Sequence, residues 1–166
     1  MSQPLTFKTL TVRNFLSYGQ QEVEFILDDS DIVSVIGRNL DTGGDGSSNG
    51  AGKTTIINAL CYALYNKPFD NISLQRLINS TNDKKDTMME VRLTFEKGGD
   101  EYEIYRARGG EYRISITKNG DDITPGKGVI ECDDLIQEII GITYDLFTRT
   151  VIFSGNSQAF LQLPVS

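Results

Sequence analysis

Residues 47–55 read SSNGAGKTT, and the fold turns on what lies either side of them. Upstream is Ile32–Ile36 (IVSVI), short, β-branched and apolar almost throughout, the pattern of a strand buried on both faces. Downstream, Thr54–Tyr65 places Ile56, Leu60, Ala63 and Leu64 on one helical stripe, which Ile57 and Cys61 widen. A helix apolar over so much of its circumference lies between layers. Lys67–Pro68 ends it, because proline cannot continue the ladder. The order is strand, small-residue loop, lysine, hydroxyl, helix. That order suits a triphosphate: Asn49, Gly50, Ala51 and Gly52 let backbone amides approach, Lys53 brings an ammonium, and Thr54 brings a hydroxyl for Mg2+, followed by Thr55.

The phosphate-loop pattern G-x-x-x-x-G-K-[ST] puts its first glycine where Ser47 stands. An insertion, Leu40–Ser48 (LDTGGDGSS in 40–48), accounts for the departure, with Gly37 or Gly46 making the strand-exit turn. Asp41 and Asp45 are read as solvated loop charges, since bare carboxylates repel a triphosphate.

Further out, Leu5–Val12 reads as a strand with apolar residues on both faces: Leu5 and Phe7 on one, Leu10 and Val12 on the other. Asn14–Gly19 is a turn and Gln21–Leu27 a second strand. Met88–Glu96, Glu101–Arg108 and Glu111–Lys118 form an antiparallel meander, with Asn119–Gly120 the strongest turn signal. Ile130–Ile140 is helical with Gly141 as its cap, and Thr150–Phe153 reads as a last strand or strand start. The fold class is therefore α/β, a mixed sheet in which a parallel phosphate-loop core carries an antiparallel meander. On the meander, Arg106, Arg108 and Arg113 alternate with Glu101, Glu103 and Glu111, so a solvated face is preferred over a phosphate-contacting patch. Tyr102, Tyr105 and Tyr112 are read as cross-strand packing before base stacking.

The chain has 166 residues, a length suited to one domain. Its 16 basic and 23 acidic side chains leave a net charge of −7, which argues against a free-standing electrostatic DNA clamp. With no histidine and only Cys61 and Cys132, it offers neither a Cys/His zinc site, nor a histidine general base, nor a disulfide framework. That thiol usage, the absence of a long apolar run and an N-terminus unlike a signal peptide lead us to expect a cytoplasmic protein with no membrane partner.

Four segments, in order, carry a resemblance: LTVRNFLSYGQQEVEF, IVSVIGRN, NGAGKTTIINALCYALYNKPF and DLFTRTVIFSGNSQAFLQLP. Together they resemble the N-terminal ATPase lobe of the SMC-like DNA double-strand-break repair ATPases of the SbcC type. The glycine–aspartate insertion is similar to that of the phage branch, the large subunits of recombination endonucleases. The resemblance implies ATP and Mg2+ as cofactors and an ATPase completed by a C-terminal lobe beyond a coiled coil, both absent here. Residues 1–166 then form an incomplete half-domain that hydrolyses ATP weakly or not at all alone. It also implies a nuclease subunit, double-stranded DNA ends and a second ATPase head as partners, and a host-cell cytoplasmic location for a phage protein. On residues, it implies that Asn49, Gly50, Gly52, Lys53, Thr54 and Thr55 hold phosphate, with Lys53 catalytic. Arg13 and Asn14 would lie near the nucleotide or form a solvated strand end. Either Ser154 or Gln158 would take the metal- and water-contacting position. Two rival readings remain: a small kinase or GTPase, disfavoured because no strand-borne D-x-x-G and no N-K-x-D occur, and a non-catalytic lobe docking through a sheet edge near Val151–Phe153.

Overall fold

The computed structural model describes residues 3–28, 52–79, 88–126 and 128–150. In chain order these form β1 (Leu5–Arg13), β2 (Val23–Ile26), α1 (Lys53–Tyr65), a 3-10 turn (Leu74–Leu77), β3 (Met89–Lys97), β4 (Asp100–Arg108), β5 (Arg113–Lys118), β6 (Asp121–Asp122), α2 (Val129–Ile140) and α3 (Tyr144–Thr150). The six strands make one antiparallel sheet, ordered β2-β1-β3-β4-β5-β6. The expected parallel strand at 32–36 lies outside the described residues.

One row of side chains explains why the sheet must be covered. Leu10, Leu93, Ile104 and Ile116 stand opposite one another across β1, β3, β4 and β5, and all four are fully buried. Each such side chain contributes about 1.5–3 kcal/mol by leaving water. The cover is helical: α1 packs on β1, β3 and β4, and α2 packs on β5 and α1. Phe147 of α3 meets Phe7 and Tyr65 edge-on or tilted, with ring centroids 6.3 and 5.5 Å away.

The β1 alternation needs correcting. Phe7 pairs with Phe95 but Thr9 pairs with Thr94, so the ladder slips one residue at Lys8. This bulge puts Phe7 on the same side as Leu10 and Val12, and leaves Thr9 and Thr11 on the other. The Thr9 and Thr94 hydroxyls hydrogen-bond there at 2.7 Å. The meander is as expected. Asn119 and Gly120 both take positive φ, 52° and 88°, as a two-residue hairpin turn of that twist requires. Thr150 closes a helix instead of opening a strand; Thr148 and Thr150 fold their hydroxyls back onto the Tyr144 and Leu146 carbonyls, which suits a helical turn. Val151–Phe153 lie outside the described residues. Among the described residues no helix is long and apolar enough to cross a membrane.

Candidate phosphate-binding site

The central helix starts where the small-residue loop ends. Gly52 is its cap residue, in the left-handed region at φ 81°, and Lys53 is the first helical residue. A side chain at residue 52 would crowd its neighbours: a Cβ there would stand 2.9 Å from Ser17 Oγ and 3.0 Å from the Tyr18 hydroxyl. Conformation and space together favour glycine strongly. Among the described residues no side chain caps this end, and no acidic residue occupies its first turn. Its leading amides and the positive end of the helix dipole therefore meet no side-chain acceptor among the described residues. In contrast, α2 carries Glu131 in its first turn.

The loop between β1 and β2 braces this end. Ser17 Oγ and Thr55 Oγ1 share a hydrogen bond at 3.0 Å, and the Tyr18 hydroxyl donates to the Gly52 carbonyl at 3.4 Å. The Thr55 amide donates to the same carbonyl at 3.1 Å. Burial pushes the Tyr18 phenol above its ordinary pKa, so it stays a donor at neutral pH. The two threonines are divided by this brace: Thr55 faces inward, 6% exposed, while Thr54 is exposed. Lower on α1, buried Asn58 donates to the Thr54 carbonyl at 3.0 Å and to Asp70 Oδ2 at 2.8 Å. The Asp70 amide donates to Asn58 Oδ1 at 2.9 Å, tying the chain after the helix back to its first turns.

Arg13 and Asn14 begin the bracing loop. The Arg13 guanidinium donates to the Gln20 carbonyl at 3.0 Å and pairs with Glu90 at 3.4 Å. Asn14 is 1% exposed at φ 54°; its amide donates to the Gly19 carbonyl at 2.7 Å and its side chain to the Met88 carbonyl at 3.2 Å. A solvated strand end does not describe Asn14: it is a buried pin for the loop that carries Ser17 and Tyr18. For Lys53 only the backbone is described. Asn49, Gly50, Ala51, Ser154 and Gln158 lie outside the described residues, as do the 40–48 insertion, Asp41 and Asp45.

The meander arginines divide. Arg106 is neither a solvated face nor a surface patch: it is fully buried. Its Nε donates to the Ala63 carbonyl at 2.7 Å, Nη1 to the Tyr112 hydroxyl at 2.6 Å, and Nη2 lies 2.7 Å from Asp133 Oδ1 as an ion contact. Arg108 lies over the Tyr112 ring at 5.1 Å, and Arg113 stays exposed beside Glu111. Tyr102 stacks on Phe95 at 5.2 Å, the cross-strand packing expected of it. Ser17, Tyr18 and Arg106 were not singled out for these roles by the sequence pattern. For Arg106 a signal was present, because strand alternation puts it on the face of Ile104.

The fold is similar to that of solved SMC ATPase structures. A solved structure described as "Structural biochemistry of ATP-driven dimerization and DNA stimulated activation of SMC ATPases" superposes with a TM-score of 0.64 at 21% identity, covering 95% of this chain and 92% of that one. Residues 9–163 match the AAA_23 family model, described as "AAA domain", and the chain belongs to that family. It is 29% identical over 159 residues to the probable exonuclease subunit 2 of Escherichia phage T5, covering 95% of this chain and 24% of that protein. It is 27% identical over 155 residues to the DNA double-strand break repair Rad50 ATPase of Sulfolobus acidocaldarius, covering 92% of this chain and 16% of that protein. The chain thus spans a quarter or less of the length of these relatives.

Proposed function

We propose that this chain is the ATP- and Mg2+-binding N-terminal lobe of an SMC-like ATPase head serving DNA double-strand-break repair or recombination. The observation that carries the reading is the amino end of α1: a glycine in a crowded left-handed position, no acidic residue in the first turn, no side-chain cap among the described residues, and an exposed Thr54 next to Lys53. Anion-sized charge is stabilised at such an end, and the NGAGKTT order supplies what a triphosphate needs.

In this reading Asn49, Gly50, Ala51 and Gly52 turn backbone amides toward the phosphates, and Lys53 offsets charge growing on the β/γ oxygens. Thr54, free of the Ser17 brace, is the hydroxyl that would hold Mg2+, which when bound would supply charge neutralisation at the terminal phosphates. Thr55 faces inward and keeps the helix start in place. Arg13 and Asn14 act from the bracing loop beside the nucleotide, and Ser154 or Gln158 takes the metal- and water-facing position. Hydrolysis needs a carboxylate from a C-terminal lobe; a second head, a nuclease subunit and DNA ends complete the assembly. The names of the T5 and Sulfolobus relatives, an exonuclease subunit and a break-repair ATPase, support this context.

Titration of the chain with ATP in the presence of Mg2+ tests the reading. Saturable binding that disappears in Lys53→Ala is expected, with slow or undetectable turnover. Equal binding by both proteins, or rapid turnover by this chain alone, contradicts it.

A further inference from the structure

Arg106 sits in a core row. Val12, Val91, Arg106 and Ile114 face one another across β1, β3, β4 and β5, one step along from the apolar row of Leu10. A charge in such a place costs free energy unless partners offset it. Here Nε and Nη1 donate to the Ala63 carbonyl of α1 and to Tyr112 at the entry to β5, while Nη2 makes an ion contact, without a hydrogen bond, to Asp133 of α2. Asn66, the residue that caps α1, adds a bond to the other oxygen of Asp133 at 3.3 Å.

The bond to Ala63 is the informative one. Ala63 is among the last residues of α1, whose carbonyls have no partner within the helix. The last turn of α1 contains no basic residue of its own. The sheet supplies that charge, placed against the negative end of the helix dipole. Apolar burial of α1 is in itself non-directional, so directional contacts add to the register that packing sets. A charge-assisted bond from a planar guanidinium has both direction and length.

We infer that Arg106 is a positioning residue, which fixes the axial register of α1 on the sheet and so sets where the opposite, anion-facing end presents its amides. The inference rests on the phosphate reading above. A 13-residue helix spans about 20 Å, and its rigidity carries a shift at Ala63 to Gly52. Lysine at this position keeps the charge but loses the fork that ties three elements together.

The test is Mg·ATP affinity, measured by calorimetry below each variant's unfolding transition, for the natural chain, Arg106→Lys, Tyr112→Phe and Asp133→Asn. Arg106→Lys is expected to weaken binding about tenfold while folded, since small misplacements of binding groups are amplified in affinity. Tyr112→Phe and Asp133→Asn, which each loosen one arm of the fork, are expected to weaken it about threefold on the same ground. Folded variants that bind like the natural chain overturn the inference and leave the phosphate reading standing. A natural chain that binds no nucleotide removes both. If Arg106→Lys does not fold, the two single-arm variants decide by the same criterion.

Discussion

The two ends of α1 are built by opposite rules. At the carboxyl end Ala63 and Leu64 are fully buried, a buried guanidinium takes up a helix carbonyl, and the cap residue Asn66 bonds Asp133 of α2. At the amino end the cap is a glycine without side-chain help, the first turn lacks an acid, and the neighbours that touch it, Ser17 and Tyr18, hold its shape without filling its dipole. A helix needed only for packing would gain from an acid or a capping hydroxyl at its start, each worth roughly 0.5–1 kcal/mol. α1 forgoes that gain at one end and compensates the other from the sheet. The second helix shows the same device: Lys97 of β3 donates to the Ile139 and Ile140 carbonyls at the end of α2, which also lacks a basic residue in its last turn. The sheet therefore neutralises the carboxyl ends of α1 and α2, and of these two only α2 carries an acid at its own amino end.

The comparison can be broken at several points. The largest expected effect is at the closed end: Leu64→Ala, emptying a fully buried position, should cost about 2–5 kcal/mol in denaturant unfolding. A loss below roughly 1 kcal/mol would mean that this end is less tightly packed than described. At the open end, Gly52→Ala forces a side chain into a left-handed residue already crowded by Ser17 and Tyr18. It should cost about 1–3 kcal/mol and weaken nucleotide binding. Unchanged binding by a folded Gly52→Ala would remove the glycine from the site.

A smaller effect is expected in Ser17→Ala, about 0.5–1.5 kcal/mol, because Thr55 loses one partner. Nucleotide affinity should fall with it, and Ser17→Thr should restore part of both. Stability changing while affinity stays level would make the brace a packing contact only.

The interior of α1 gives a pH signature. Burial, with a further push from Asp70, raises the Cys61 thiol from its ordinary value of 9.0 to about 12. The folded chain thus holds this proton more tightly than the unfolded one. The associated stability is complete below pH 9 and is lost as pH rises toward 12. Unfolding measured across this window should show a decline that Cys61→Ala flattens; identical profiles would contradict the assignment.

How much of this was legible in the sequence follows from the range of each interaction. α1 was readable because its apolar residues cover most of its circumference, and the meander because Asn119–Gly120 and the paired glycines before it are local signals. The β1 pattern was misread by one residue at Lys8: a bulge is set by the partner strand, and Phe7 finds its side only when paired with Phe95. α3 was missed because seven residues rich in threonine carry little helical signal; docking of Phe147 against Phe7 and Tyr65 holds it. Arg106 among glutamates looks solvated until Ala63 and Asp133, both distant in sequence, arrive beside it. The Gly-Lys-Thr motif before α1 was visible in the sequence, yet the brace from Ser17 and Tyr18 was not, since a turn of the form NFLSYG does not announce what it leans on.

The claim on which the rest depends is that the open end of α1 receives the anion. Backbone amide resonances followed during addition of Mg·ATP test it most directly. The account predicts the largest shifts at Gly52, Lys53, Thr54 and Thr55, decaying along the helix to little change at Tyr65 and Asn66. Shifts centred on the Ala63–Asn66 end, or none anywhere in α1 at saturating nucleotide, would contradict it.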